Sequence, residues 1–172
     1  MKSDFAGFVS VGSTAIRVLV LFTDSSETPT NASALPTYRV YGPSGVMQNG
    51  TGTTSFAETG TITNATNANP IVITSAAHGL TTGTRVTITG VGGNTAANTT
   101  AVMTKVDANT FSIAVAGNGA YTNGGTWNTS GLYKVDVTPL AADGYVAETL
   151  YNVLFQGTVT VNKGLVKSFI CV

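Results

Sequence analysis

A single cysteine, a single histidine and a single tryptophan stand in a chain of 172 residues, and each scarcity narrows the chemistry open to it. With Cys171 alone, no intrachain disulfide can form and no thiolate cluster can hold a metal. His78 is the only imidazole, so any Ser-His-Asp arrangement would have to use it. Catalytic zinc takes about three protein ligands from His, Cys, Asp or Glu, and no such grouping is spaced along the chain. The eight acidic residues are dispersed, and Asp24, Asp107 and Asp143 fall beside turns, a poor start for the paired carboxylates of glycoside hydrolysis. Gly90-Val-Gly-Gly93 lacks the Gly-Lys-Ser/Thr ending and the following helix of a phosphate loop. The expectation is a non-enzymatic protein with no catalytic residue, no metal and no cofactor.

Charge is equally sparse. Charged residues make up 9% of the chain, against roughly 25% in an ordinary soluble domain. The eight basic and eight acidic residues cancel and are scattered singly. Nucleic acid and anionic membrane are bound mainly through clustered Lys and Arg, so neither is an expected partner. The apolar run Ile16 to Phe22 is interrupted by Arg17, and the first residues do not read as a secretory signal, so neither a membrane span nor a leader is expected. Thr, Ser, Asn and Gly supply the polarity instead, as in Asn94-Thr-Ala-Ala-Asn-Thr-Thr100. A surface of that kind at zero net charge repels its neighbours weakly, which suits a homo-oligomer or a larger assembly.

Helical periodicity is nearly missing, whereas short alternating segments bounded by Gly, Pro, Asn and Asp recur throughout, the pattern of sandwiches and barrels. In Ile16 to Phe22, the residues Ile16, Val18, Val20 and Phe22 share one face. Further strands are predicted over Phe8 to Val11, Thr37 to Tyr41, Leu132 to Val137, Leu150 to Val161 and Leu165 to Val172. Gly42-Pro-Ser-Gly45 reads as a turn, Gly157 as a bulge or bend, and Leu140 to Ala142 as one helical turn.

A stretch of different texture, residues 61–127, carries only Arg85, Lys105 and Asp107 as charges. Its predicted strands are Ile71 to Thr74, Thr84 to Thr89, Ala101 to Val106 and Thr110 to Val115, with Asp107-Ala-Asn109 as a hairpin turn in which Asn109 takes a left-handed conformation. Gly60 and Gly124-Gly125 flank it as hinges. The fold expected is therefore all-β: an Ig-like β-sandwich from residues 1–60 and 128–172, with a small β-barrel of residues 61–127 inserted in a surface loop.

His78-Gly79-Leu80, Gly83, Val86-Thr-Ile-Thr-Gly90, Val106-Asp-Ala-Asn-Thr-Phe111 and Tyr121 resemble a family of small β-barrel modules similar to the first catalytic-cysteine half-domain of ubiquitin-activating enzymes, segments of which occur in phage tail and other virion proteins. The outer segments, with Gly42-Pro-Ser-Gly45, Ser130-Gly-Leu-Tyr-Lys134 and the strand from Tyr151 to Val161, resemble the Ig-like accessory proteins of tailed-phage virions. The half-domain likeness concerns fold only, because the adenylation and cysteine domains that perform ubiquitin activation have no counterpart here and Cys171 lies outside the module. What the resemblances imply is a structural component located in the virion, foremost a capsid decoration or cement protein. Its partners would be the major capsid protein or tail proteins and further copies of itself. A tail, baseplate or connector component is one alternative. A carbohydrate-binding adhesin contacting a host-surface glycan is another.

Three sets of residues bear on these readings. His78, Gly79 and Gly83 form a predicted structural turn. Trp127 and Tyr121 are either a sugar-stacking platform or aromatics that pack where module and host meet. Tyr151, two positions before a core-facing Val153 and after Asp143-Gly144, matches the tyrosine corner of Ig-type sandwiches.

Overall fold

A computed structural model describes residues 4–12, 15–159 and 161–172. Among them the chain forms fifteen strands and two single 3-10 turns. In order these are β1 (Asp4–Val9), β2 (Ile16–Leu21), β3 (Thr37–Tyr41), β4 (Met47–Thr53), β5 (Ser55–Phe56), β6 (Thr59–Thr61), β7 (Asn64–Ala65), β8 (Ile71–Thr74), β9 (Arg85–Thr89), β10 (Thr100–Lys105), β11 (Thr110–Ile113), β12 (Thr126–Thr129), β13 (Leu132–Val137), β14 (Thr149–Val159) and β15 (Val161–Cys171). They divide into two compact units, residues 1–56 with 131–172 and residues 57–130.

The first unit is a two-layer sandwich. Its larger sheet runs β1-β15-β14-β3-β4 and its smaller one β2-β13-β5. Period-two alternation places Val18, Val20 and Phe22 from one sheet and Val40, Tyr151, Val153, Phe155, Phe169 and Cys171 from the other in a single core. β1 pairs parallel to β15 and every other ladder in the unit is antiparallel. A three-stranded sheet packed on a five-stranded one that begins with a parallel edge strand is an Ig-like arrangement. The tyrosine corner is present: the Tyr151 hydroxyl accepts the Val146 N–H at 2.8 Å, after Gly144 at φ 82°. Gly157 does not make a bulge. β14 and β15 pair without a shift from Thr149↔Cys171 to Val159↔Val161. Glycine is required there by packing, since a Cβ would lie 2.9 Å from the Phe22 ring and 3.1 Å from Pro36.

The second unit is one seven-stranded order, β6-β12-β9-β10-β11-β8-β7. Two chain segments change partners within it. Thr100 to Val102 of β10 pair with β9, and Met103 to Lys105 of the same strand pair with β11. Likewise β6 pairs with β12, while β7, only Ile62 and Thr63 later, pairs with β8. Strands that switch sheets make the corners of an orthogonal packing, here around Ile71, Ile73, Val86, Ile88, Met103, Phe111 and Trp127. Among the described residues no ladder joins β6 to β7, so the expected barrel is an open, rolled sheet. Its two end strands are successive parts of one segment, and its open seam carries the Thr63 N–H to Thr74 O bond of 2.9 Å.

Two further expectations change. Asn109 is not left-handed. The Asp107 carboxylate sets the β10–β11 turn instead, accepting the N–H groups of Asn109 at 2.7 Å and Thr110 at 2.9 Å. The boundaries fall at 56/57 and 130/131, not at 60/61 and 127/128, because Gly60 and Trp127 are paired residues of β6 and β12. Gly60 is thus no hinge, and a Cβ on it would stand 2.8 Å from the indole Nε1. Gly125, on the other flank, accepts the Ile62 N–H at 2.9 Å. The strands without a sequence signal, β4 to β7 and β12, are composed mostly of Thr, Gly, Ser and Asn, and their pairing is dictated by neighbours, not by their own alternation.

Candidate functional site

His78 is 4% exposed. Its Nδ1 accepts the Leu80 N–H at 3.0 Å, which leaves the proton on Nε2, directed at Asp107 O (3.0 Å) and Thr110 O (3.3 Å). Edge contact with Phe111, at 5.4 Å between centroids, fixes the ring plane. The preceding Ala77 and the following Gly79 and Gly83 have φ of 47°, 67° and 95°. At the two glycines a Cβ would meet nothing within 4 Å, so glycine is demanded by backbone conformation alone. This histidine is a staple between the β8–β9 connection and the β10–β11 turn, with both nitrogens engaged by backbone groups.

The two aromatics separate. Trp127 is 1% exposed, its Nε1–H donates to the Ser75 hydroxyl at 2.8 Å, and Phe111 packs edge-on at 6.1 Å. Gly60 seals the ring's side. No face of the indole is open for a sugar to stack on, and its contacts belong to the core of its own unit. Both sequence readings of Trp127, platform and junction, give way to that of a core centrepiece. Tyr121 is half-buried and its hydroxyl donates to Ile62 O at 3.2 Å and to Gly124 O at 3.0 Å, clipping the loop that leads into β12.

Nucleophiles and acids are held in the same manner. Cys171 is fully buried, and burial pushes its thiol above the usual range, away from thiolate. The carboxyl of Asp107 is held low by the backbone N–H of Asn109 and by Thr110. That of Asp136 is held low by the Arg17 guanidinium, 2.9 Å away on the sandwich surface. Among the described residues no three His, Cys, Asp or Glu side chains gather as a metal site would require. Among the described residues two buried side-chain polar atoms lack a partner, Arg85 Nε and the Tyr145 hydroxyl; the latter lies beside Tyr151, at 4.7 Å between ring centroids, and Phe169, and burial raises it to about 12. A cleft of about 240 Å³ beside β1 is lined by Phe5, Ala6, Arg17, Leu19 and Lys167. Its Arg17 is already bidentate to Asp136.

The feature that stands out is a surface. In the five-stranded sheet the inward residues of β14 and β15 are core, so Leu150, Asn152, Leu154, Val166, Ser168 and Ile170 point outward. The register shift at Ala6 turns Phe5 to the same side as Phe8, and the two rings meet edge-on at 5.1 Å. Phe8 lies level with Ile170, and Ile170 with Leu150. Phe5, Phe8 and Leu150 are 51%, 65% and 45% exposed. Across β3, Arg39 is the single charge among the described side chains that face outward from these strands. Sequence reading missed this face because Phe5 and Phe8 are three residues apart, a spacing that alternation assigns to opposite sides.

The second unit has an outer face of opposite character. On β6, β12 and β9, Thr61, Thr126 and Thr89 form one cross-strand row, and Thr59, Asn128 and Thr87 form the next, which Thr100 of β10 extends. Thr87 shares hydrogen bonds with Thr100 at 2.9 Å and Ser130 at 2.8 Å. Its hydroxyls bind one another or water, so the face is stable when wet. Searches against family models and against curated proteins found nothing that matches this chain.

Proposed function

We propose that this chain is a non-enzymatic structural component of a tailed-phage virion, placed on the capsid as a decoration or cement protein. The observation that carries the reading is the outer face of the five-stranded sheet. An antiparallel sheet packed on one side normally turns polar residues to water on the other. Here that side bears Phe5, Phe8, Leu150, Leu154, Val166 and Ile170 beside Asn152, Gln156 and Ser168, with Arg39 the one charge among the described side chains, an apolar share that favours cover by another protein.

Three further points support it. The only histidine and the only thiol are committed to backbone and core. The sequence resemblances of the outer segments and of the middle stretch are both to modules found in phage virions. The surface has few charges to steer a diffusing partner, and so favours neighbours held in place by an assembly. The adhesin alternative loses its platform with Trp127 in the interior.

Mass spectrometry of purified particles tests the proposal by stoichiometry. A capsid protein is recovered at hundreds of copies per particle, and the purified chain raises the melting temperature of expanded empty capsids. Recovery at a handful to tens of copies moves the chain to the tail, and absence from particles ends the virion reading.

A further inference from the structure

We infer that Asn123, in the loop that leads into β12, is a site of spontaneous covalent modification: its carboxamide converts by way of a cyclic imide to aspartate and isoaspartate, with water as the co-reactant. The inference is independent of where the chain resides and of what covers its sandwich.

The chain has three Asn-Gly steps, at Asn49, Asn118 and Asn123. Glycine matters because it has no Cβ to keep its amide nitrogen away from the carboxamide of the residue before it. The first step lies inside β4. The other two lie in loops of the second unit, and both asparagines are exposed. Exposure does not distinguish these two, but hydrogen bonding does.

At Asn118 the side chain is held at both ends. Its Oδ1 accepts the Ala96 N–H at 3.0 Å, its Nδ2 donates to the Thr95 hydroxyl at 2.9 Å, and its own N–H donates to Asn94 Oδ1 at 3.1 Å. At Asn123, among the described residues, no hydrogen bond holds the carboxamide and no acceptor holds the Gly124 N–H. The carboxamide rests on bare backbone, since a Cβ on Gly92 would come within 2.7 Å of Asn123 Oδ1. The fold also requires the glycine that follows. Gly124 has φ 69°, and a Cβ on it would stand 2.8 Å from Gly90 O. The reactive pair is therefore built into the loop.

The step balances without oxidant or reductant. Having lost its proton to hydroxide, the Gly124 nitrogen attacks Asn123 Cγ. The new N–C bond closes a five-membered imide as the C–NH2 bond breaks, and ammonia leaves with a proton from solvent. Water then opens the ring at either carbonyl. Both products add one negative charge to a chain whose formal net charge is zero. Isoaspartate does more, because the main chain then runs through Cβ and Cγ. The Asn123 carbonyl that accepts the Gly92 N–H at 2.8 Å becomes a pendant carboxylate, and the chain before Gly124 gains one carbon. Gly124 O accepts the Tyr121 hydroxyl at 3.0 Å and Gly125 O the Ile62 N–H at 2.9 Å, so the added carbon falls between bonds that now fix the loop.

Timed incubation of the full folded chain at mildly alkaline pH is the test, followed by peptide mass spectrometry that separates aspartate from isoaspartate. The guanidinium-unfolded chain is the reference and Asn123→Gln the control. Each hydrogen bond of ordinary strength that must open first slows the step several-fold, so folded Asn118 should react about 100-fold more slowly than Asn123. Unfolding should bring the two to similar rates, and Asn123→Gln should remove the fast product alone. Hydrogen exchange at the Gly92 amide should quicken in the isoaspartyl form. An Asn123 that stays intact in the folded chain while the unfolded chain converts overturns the inference, as does a folded Asn118 that converts as fast as Asn123.

Discussion

The outer faces of the two units are almost equally poor in charge and are chemically opposite. On the sandwich, the residues level with one another across β1, β15 and β14 are Phe8, Ile170 and Leu150. On the second unit, those level across β6, β12 and β9 are Thr61, Thr126 and Thr89. A low fraction of charged residues thus has two physical meanings within one chain. The threonine rows satisfy their hydroxyls among themselves and with water and need no cover. The phenylalanine and leucine rows expose apolar area whose burial is worth roughly 25 cal/mol per Å². One unit is finished as a surface, and the other leaves an apolar row exposed, which on the proposal above a partner covers.

The largest effect that could break this comparison concerns the cores beneath the faces. Trp127 is the only tryptophan and belongs to the core of the second unit. Trp127→Ala should cost that unit about 3–5 kcal/mol, read by hydrogen exchange as lost protection in β8 to β12. Protection in β14 and β15 should persist, because their core contains Tyr151, Phe155 and Phe169 instead. Equal loss in both units would mean that the two cores are not separate.

Next in size is a transfer of character between faces. Thr89→Val together with Thr126→Val would give the second unit an apolar row without touching its core. Stability should stay within about 0.5 kcal/mol of the parent, while light scattering should reveal new concentration-dependent association. A doubly substituted chain that associates no more than the parent would show that apolar rows alone do not demand cover.

Within the sandwich, two neighbouring tyrosines differ in one respect. The Tyr151 hydroxyl holds Val146 N–H, and the Tyr145 hydroxyl holds nothing. Tyr151→Phe should therefore lower the unfolding free energy by about 1 kcal/mol, and Tyr145→Phe should leave it unchanged or raise it. Tyr145 also carries a pH signature. Its folded-state value, raised to about 12 by burial, exceeds the ordinary 10, so the neutral phenol is favoured in the fold. Stability from this group is complete below pH 10 and is lost as pH climbs from there toward about 12. Ultraviolet titration should find one tyrosine in the parent that is absent from Tyr145→Phe and ionises only near the upper limit.

The smallest effect separates the two depressed carboxyls. Asp107 is held low by backbone N–H groups of its own turn, Asp136 by the Arg17 charge on the open surface. Each contributes stability that is present above the ordinary carboxylate value and is lost as pH falls through the depressed one. Added salt should return Asp136 toward the ordinary value and leave Asp107 nearly where it was, as followed by NMR titration of the two carboxyls.

The sandwich was largely legible in sequence because Ile16 to Leu21, Leu132 to Val137 and Thr149 to Val159 alternate strictly, and a residue buried on every second position announces both strand and face. The tyrosine corner could be anticipated from Asp143-Gly144 and Tyr151, since its hydrogen bond is local. The His78 turn was readable for the same reason. What could not be read depended on distant pairing. Strands of Thr and Gly such as Met47 to Thr53 exist because a neighbour offers a ladder. The sequence offers no sign that Trp127 lies opposite Gly60, 67 positions away in the chain. The apolar face was hidden by one irregularity at Ala6, which reverses the side on which Phe5 emerges.

The most direct measurement is residue-level covalent footprinting of the chain, free and within purified particles. The account predicts strong protection of Phe5, Phe8 and Leu150 on assembly, with labelling of Thr61, Thr89 and Thr126 unchanged. Protection of the threonine rows with Phe5, Phe8 and Leu150 left as reactive as in the free chain would contradict it.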